Sequence, residues 1–415
     1  MIKKYLDNFK DFPKEIWMLA LITFINRAGT MVVPFLSKYM KEDLDFTYSQ
    51  IGWVMVCFGV GSLIGTWLSG KLIILIGFYK TMALSLFASG IVFFALQHVT
   101  NFEGLCFGIL VLTSLAEVFR PAMLVSLNTY TKKENRTRAL TLVRAAVNLG
   151  FLFGPALGGL FIMKIGYESL FYADGSTCIL AVLLFVLFVK ENKLPFKINE
   201  NITRTSTKYV VFKDKPFVLH LIISMISGLL FFQIFTTLPL YHKEGFNLTE
   251  FYSGMLLGLN GLIMLLFELP IVNYVERNNI NKLKVIGVGT LLMAVSFFLL
   301  FFAKFEGILV LMMIFITFGA MLTFPFANSF AMSRAHVGHE GKYMSVFTMS
   351  YCFAHIFSAK GGMEIIQDFG YSVNWLFMAS LGSLAFVLVY WLYNITKKET
   401  VVLNDKIINS LFSDN

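Results

Sequence analysis

Apolar residues in this chain come in long blocks, and short polar segments separate them. Crossing the hydrocarbon core of a bilayer takes about 20 mostly apolar residues in a helix. Twelve blocks reach that length, near 15–39, 48–75, 80–98, 104–129, 138–163, 169–189, 216–240, 251–275, 283–302, 306–332, 342–366 and 371–394. They are called spans 1 to 12 below. The first is too long, and too poor in small residues at a cleavage position, for a secretion signal. The pattern predicts an all-α integral membrane protein with twelve transmembrane helices. A polar stretch at 190–215 divides them six and six. The predicted organisation is a six-helix bundle over 1–189, a central cytoplasmic loop over 190–215, a second bundle over 216–394 and a cytoplasmic tail over 395–415.

The two halves resemble each other. GGLFIMKIGY at 158–167 and GGMEIIQDFGY at 361–371 each place a Gly-Gly pair late in the fifth span of a half, with Gly-Tyr before the sixth. FRPA at 119–122 and FPFA at 324–327 match in the fourth. An offset of this constancy reads as internal duplication, the signature of transporters built on two related bundles.

Composition agrees: 57% of the 415 residues are hydrophobic and 14% charged, where soluble domains sit near a quarter charged. Such a chain cannot clothe a large soluble core. The formal charge of +9 matters through its placement. With the N-terminus inside, 25 of the 34 basic residues fall in segments predicted to be cytoplasmic, and five (Lys38, Lys41, Lys164, Lys243 and Lys304) outside. Basic residues concentrate on the cytoplasmic side, so both termini are expected in the cytoplasm and the protein in the cell (inner, cytoplasmic) membrane. The positive charge then meets anionic lipid, and no nucleic-acid partner is needed.

Four cations remain, all within spans: Arg27, Arg120, Arg144 and Lys360. Charges at membrane depth are costly and usually face a wet interior. Helical spacing gives each N-half arginine a polar stripe. Thr23, Arg27 and Thr30 share a face beside Asn26, Thr113, Glu117 and Arg120 share another, and Thr137, Thr141, Arg144 and Asn148 a third. Glu117 is the candidate proton-binding acid and Glu268 the second. An adjacent arginine favours the ionised form of such an acid, desolvation opposes it, and a conformational cycle can change both. Lys360 and Glu364, four apart, read as a local ion pair. The cysteines Cys57, Cys106, Cys178 and Cys352 each sit alone in a span and read as small packing residues. His336, His339 and Glu340 form HxxHE in a turn between glycines and do not read as a metal site. No phosphate loop is present, so an ion gradient is the expected driving force, with no cofactor. An intramembrane enzyme would need a nucleophile–base pair or a metal triad at depth, and His220 and His355 stand apart from any such set.

Along its whole length the sequence resembles the major facilitator superfamily. GKLIILIGFYK at 70–80 keeps Gly70, Gly77 and Lys80 of the family's loop motif, with Ile74 and Leu75 where an Asp-Arg pair belongs. VNYVERNNINK at 272–282 keeps an acid-arginine pair as Glu276 and Arg277. GFLFGPALGG, with Gly150, Gly154, Pro155, Gly158 and Gly159, resembles the motif of the drug:proton antiporter branch. AEVFRPA on span 4 and NGLIMLLFELPIVNYVER from Asn260 resemble stretches of the same branch. The resemblance implies alternating access between two bundles, with spans 1, 4, 7 and 10 lining a cavity. It implies Asn26, Arg27, Thr30, Arg120, Arg144, Asn148, Asn260, His355 and Lys360 as cavity or substrate residues. The implied protein is a monomeric, proton-coupled antiporter that exports small amphiphilic molecules or drugs. The positive balance of the suspected cavity favours neutral, zwitterionic or anionic cargo. A proton-coupled symporter of small organic solutes or peptides, and a lysolipid flippase, are the alternatives.

Overall fold

Backbone N–H and C=O groups in hydrocarbon must be paired internally, and a helix pairs them within one segment. The computed structural model describes residues 12–131, 135–191, 210–302, 305–335 and 339–413, and these are helix and turn, with no strand. Span 1 is carried by α1 (Lys14–Ala28) and α2 (Val32–Glu42), spans 2 and 3 by α3 (Tyr48–Leu96), and span 4 by α4 (Phe102–Ala116) and α5 (Phe119–Tyr130). Then come α6 (Arg136–Ile165) and α7 (Glu168–Phe188) for spans 5 and 6, and the short α8 (Val210–Lys213). Span 7 is α9 (Lys215–Thr236) with α10 (Leu238–Glu244). Spans 8 to 12 are α11 (Glu250–Arg277), α12 (Lys282–Phe302), α13 (Gly307–Arg334), α14 (Glu340–Phe369) and α15 (Tyr371–Ser413). Ten helical stretches among the described residues are long and apolar enough to cross a membrane. α3 is one of them yet holds two predicted spans. α14, which carries Glu340, Lys342, Lys360, Glu364 and Asp368, is not among the ten.

The interruptions have local causes. As one straight rod the 49 residues of α3 would run about 74 Å, far beyond a bilayer. Gly77 breaks it at φ +81°, a conformation that costs glycine little. Proline lacks the N–H that would reach the carbonyl four residues back. Pro34, Pro121 and Pro239 thus forgo bonds to Thr30, Glu117 and Phe235, and span 1, span 4 and span 7 each break near that carbonyl. Pro155 sits inside the unbroken α6. Within the predicted tail at 395–415, α15 continues helically to Ser413. No Gly or Pro follows Gly382 to stop it.

The duplication extends to the turns. Gly166 and Gly370, before spans 6 and 12, have φ of +107° and +82°. Asp45 and Asn247, after spans 1 and 7, have φ of +53° and +50°. Phe46 N–H bonds Met40 O and Leu248 N–H bonds His242 O, both at 2.9 Å. Tyr167 donates to Glu42 at 2.6 Å and Tyr371 to Glu244 at 3.0 Å. The first tyrosine of the sixth helix in each half therefore ties to the acid that ends the first.

The described residues cluster into two compact units. One comprises those of 1–198 with Phe232–Leu266 and His355–Tyr371. Its two apolar cores centre on Phe35, Met55 and Phe171, and on Leu19, Met82 and Phe185. The other comprises those of 199–231 with Phe267–Ala354 and Ser372–Asn415, around Phe217, Ile286, Phe326 and Tyr343. In that unit Arg334 binds Asp214 at 2.6 Å and Glu399 at 2.8 Å, joining the ends of spans 7, 10 and 12. Large apolar side chains such as Leu75, Phe107 and Leu187 are more than two-thirds exposed, as lipid-facing surfaces require. Trp17, Trp67 and Trp391 are also exposed, in keeping with an interfacial belt. Residues 192–209 of the central loop, and Lys3, Lys4, Lys10, Lys132, Lys133, Lys304 and His336, lie outside the described residues.

Candidate functional site

The site begins where span 1 breaks. Asn26 and Arg27 close α1, and Gly29, Thr30 and Met31 cross to α2. A helix start leaves N–H donors without partners. Here Asp174, from α7, supplies the acceptors. Its Oδ1 accepts from Met31 N–H at 2.9 Å, and its Oδ2 accepts from Met31 and Val32 N–H at 3.1 and 3.0 Å. Asp174 is wholly buried. α7 fits because Gly29 has no side chain: a Cβ there would lie 1.8 Å from Thr177 Oγ1. Asn26 Nδ2 reaches Cys178 Sγ at 3.8 Å. Thr23 and Thr30, two members of the predicted polar stripe, spend their hydroxyls on their own helix, at Leu19 O (2.7 Å) and Asn26 O (3.1 Å).

Arg27 is half-buried. The ionisable groups whose fields it feels are Glu117, Arg120 and Cys178. Glu117 stands at the break in span 4, as the residue that ends α4, and its N–H bonds Thr113 O at 3.0 Å. Its neighbour across span 2 is Gly65, where a Cβ would meet Ser114 O at 2.5 Å and Glu117 Cβ at 3.0 Å. The predicted association of Arg27, Glu117 and Arg120 is thus an electrostatic neighbourhood at two helix breaks.

The glycines of α6 explain how close these helices come. Cβ atoms on Gly150 and Gly154 would lie 2.5 Å from Arg27 Cβ and 3.0 Å from Ala28 O, and one on Gly158 would lie 3.1 Å from Met31 Cβ. Gly159 faces the other way, 2.3 Å from Glu250 O by the same measure. α11 answers with glycines of its own. Gly254, Gly258 and Gly261 would meet Pro155 O at 2.2 Å, Leu152 O at 2.6 Å and Leu152 N at 2.5 Å. α6 is therefore clasped between span 1 and span 8 on two small-residue faces.

At the end of this unit remote from Lys14, helices of the two halves are tied by polar contacts. Lys38, wholly buried, binds Glu250 at 3.0 Å, and Glu42 and Lys243 flank the pair at 4.0 and 3.7 Å. The expectation that Lys38 lies in an external loop is corrected: it is within α2. Ser37 donates to Thr236 O at 2.8 Å, and Tyr48 donates to Glu244. Lys360 pairs with Glu364, as its spacing predicted, but also donates to Ser49 Oγ at 2.8 Å, and Ser49 N–H donates to Gln367 at 3.0 Å. Gln233 donates to Ser358 O at 2.9 Å. His355 stacks on Phe58 and meets Phe232 edge-on, each at 4.8 Å. In α10, past the membrane-crossing stretch Lys215–Thr236, His242 bonds Ser253 Oγ through Nδ1 at 2.8 Å. Burial, reinforced by the Lys38 charge, pulls it down to about 3.

The remaining predicted residues are more scattered. Arg144 is exposed and Asn148 half-buried on α6, and Asn260 is buried on α11. Glu268 belongs to the second unit. Gly70, Lys80, Glu276 and Arg277 are exposed. The four cysteines are free thiols, and no metal-ligating cluster occurs among the described residues. Sequence reasoning missed Asp174, and it left Glu250 and Ser49 out of any site. Counting acids within spans, like the cations, would have raised Asp174. Only folding could pair Lys38 with Glu250.

The family model of the Major Facilitator Superfamily matches residues 19–359. The chain belongs to that superfamily. It is therefore a multi-pass membrane transporter and not an enzyme. The chain is similar to a Na(+), Li(+), K(+)/H(+) antiporter of Planococcus maritimus, 21% identical over 413 residues, covering 91% of this chain and 95% of that one. The quinolone resistance protein NorA of Staphylococcus aureus (strain MSSA476) is 27% identical over 269 residues, covering 62% and 66%. The crystal structure of a mutant of the peptide transporter POT, in complex with alafosfalin, superimposes with TM-score 0.80 at 15% identity, covering 94% of this chain and 96% of that one, a likeness of fold.

Proposed function

We propose that this transporter is a proton-coupled antiporter that exports small amphiphilic molecules or drugs across the cell membrane by alternating access, as a monomer. One observation carries the reading: the two halves meet at the Lys38–Glu250 end through polar ties and glycine faces. Such ties hold only while the helices meet, and water can take the place of each partner once that end opens. With both termini in the cytoplasm, as the basic residues imply, that end of the unit faces outside. Arg27 and Glu117 sit at breaks in the helices that the family uses to line its path, so a proton on Glu117 changes the field at the arginine. Glu268, on α11, is the second candidate acid. Arg27 and Arg120 beside Glu117 favour neutral, zwitterionic or anionic cargo. The names of the Planococcus and Staphylococcus relatives agree with cation/proton exchange and drug efflux.

The test is a flux screen in proteoliposomes with an imposed pH gradient. Wild-type protein is expected to move substrate against an opposing proton gradient. Glu117→Gln is expected to keep substrate exchange but lose gradient-driven accumulation. Wild-type coupling in that variant would remove Glu117 from the role. Movement of substrate and protons in the same direction would establish the symporter alternative, which the central Arg27 also suits.

A further inference from the structure

We propose that Asp174 is a proton-binding site of the transport cycle, and that its protonation state sets whether the two halves of span 1 are held together. This rests on the proton-coupled reading above but concerns a residue outside the Arg27–Glu117 pair.

Three observations carry it. First, the carboxylate is wholly buried, and no cation forms an ion pair with it among the described residues. An ionised carboxyl in apolar surroundings is costly unless paired. Second, its acceptors go to the N–H groups of Met31 and Val32, donors that nothing else in the break supplies with an oxygen. Burial opposes the charge and these bonds favour it, so the balance depends on the bonds persisting. Third, the residue sits at a joint. α1 ends at Ala28 and α2 begins at Val32, and Pro34 prevents the backbone from bridging the gap to Thr30.

The surroundings contain few rivals for the proton. On its own helix, Cys178 is one turn away, and on span 1 there are Arg27 inward and Tyr39 outward, the latter edge-on to Phe171 at 5.4 Å. Span 3 meets this region through Gly90 and Phe94 and has no ionisable residue between Lys80 and His98. α6 has none between Arg144 and Lys164. Half-buried Asn26 and Thr30 border the site.

The chemistry is a single proton transfer. A proton from water on the side then open adds to one carboxylate oxygen. The neutral group has one O–H donor and weaker acceptors, so its hold on the N–H groups of the joint weakens. α2, which carries Lys38 of the distal latch, is then free to move against α1. Loss of the proton restores the full strength of the bonds from Met31 and Val32.

Hydrogen exchange of the purified full-length protein in nanodiscs tests this. Amides of 29–36 are followed between pD 8 and pD 5, after correction for intrinsic exchange. In the wild type, protection of Met31 and Val32 is expected to fall about tenfold on acidification, the worth of one charged hydrogen bond. Asp174→Asn is expected to give low protection at both pD values, and Asp174→Glu to keep a response with a shifted midpoint. Glu117→Gln should leave the response of these amides in place. Protection that is high and flat with pD in the wild type makes Asp174 a static cap and overturns the proposal, whether or not the variants fold. If the exchange response is present but wild-type protein shows no proton-linked flux, the antiporter reading fails and Asp174 still binds the proton.

Discussion

Arg27 shows what a single residue contributes. Its position is enforced by a missing side chain, because a Cβ on Gly150 would lie 2.5 Å from its own Cβ. Its charge is set against Glu117 and Arg120. A charge kept at membrane depth marks a functional group on a transport path. Arg27→Ala is therefore expected to lower flux by about tenfold or more, with Arg27→Lys intermediate, read as initial rates in proteoliposomes. His242 makes a second prediction. Its folded value of about 3 lies below the ordinary 6.5, so the unfolded chain binds the proton more readily. Stability is then full above pH 6.5 and falls as pH drops toward 3. The melting temperature in detergent should drop between pH 7 and pH 5 more in the wild type than in His242→Asn.

Among the elements, α6 is the one most fully specified by its residue spacing. Gly150, Gly154 and Gly158 recur every fourth residue, a spacing that admits another helix; span 1 takes that place. The second face, made by Gly159 against Gly254, Gly258 and Gly261 of α11, escapes a sequence reading, because α11 spaces its glycines four and three apart within an otherwise ordinary apolar run. Gly254→Leu places a branched side chain where even a Cβ would be 2.2 Å from Pro155 O. Overpacking of this kind costs about 1–3 kcal/mol, and here the obstacle is backbone. The variant is expected to melt several degrees lower and to populate the described form less, read by differential scanning fluorimetry and by cysteine accessibility at the distal end. A leucine at exposed Gly70, which has nothing within 4 Å of its Cβ, is expected to leave the melting temperature unchanged.

At the scale of the molecule, the same chemistry recurs twice along the chain. Tyr167–Glu42 and Tyr371–Glu244 close each half onto itself, while Lys38–Glu250 and Tyr48–Glu244 join one half to the other. Breaking one partner of a buried ion pair costs about 3–5 kcal/mol, and Lys38 is wholly buried. Lys38→Glu alone should favour the form open at the distal end, seen as faster labelling of a cysteine placed at Ser37. Lys38→Glu with Glu250→Lys should restore slow labelling. Unchanged labelling in Lys38→Glu would show that the pair does not hold the distal end shut.

The sequence by itself determined the solvent, the helical class and the duplication. Hydrocarbon forbids unpaired backbone, so apolar blocks of sufficient length must become helices, and their repeat offset is legible without coordinates. It also marked Arg27, Glu117 and the α6 glycines, since charge at depth and small-residue spacing are local signals. Tertiary structure alone decided the partners. Asp174 was one acid in an apolar run until folding set it on the open N–H groups of Met31 and Val32, 142 to 143 residues away in sequence. Lys38 read as a loop lysine until Glu250, 212 residues on, met it inside the protein. Periodicity fixes which face a residue occupies within its own helix. Which residue of another helix it meets depends on packing across the whole bundle, and no local pattern encodes that.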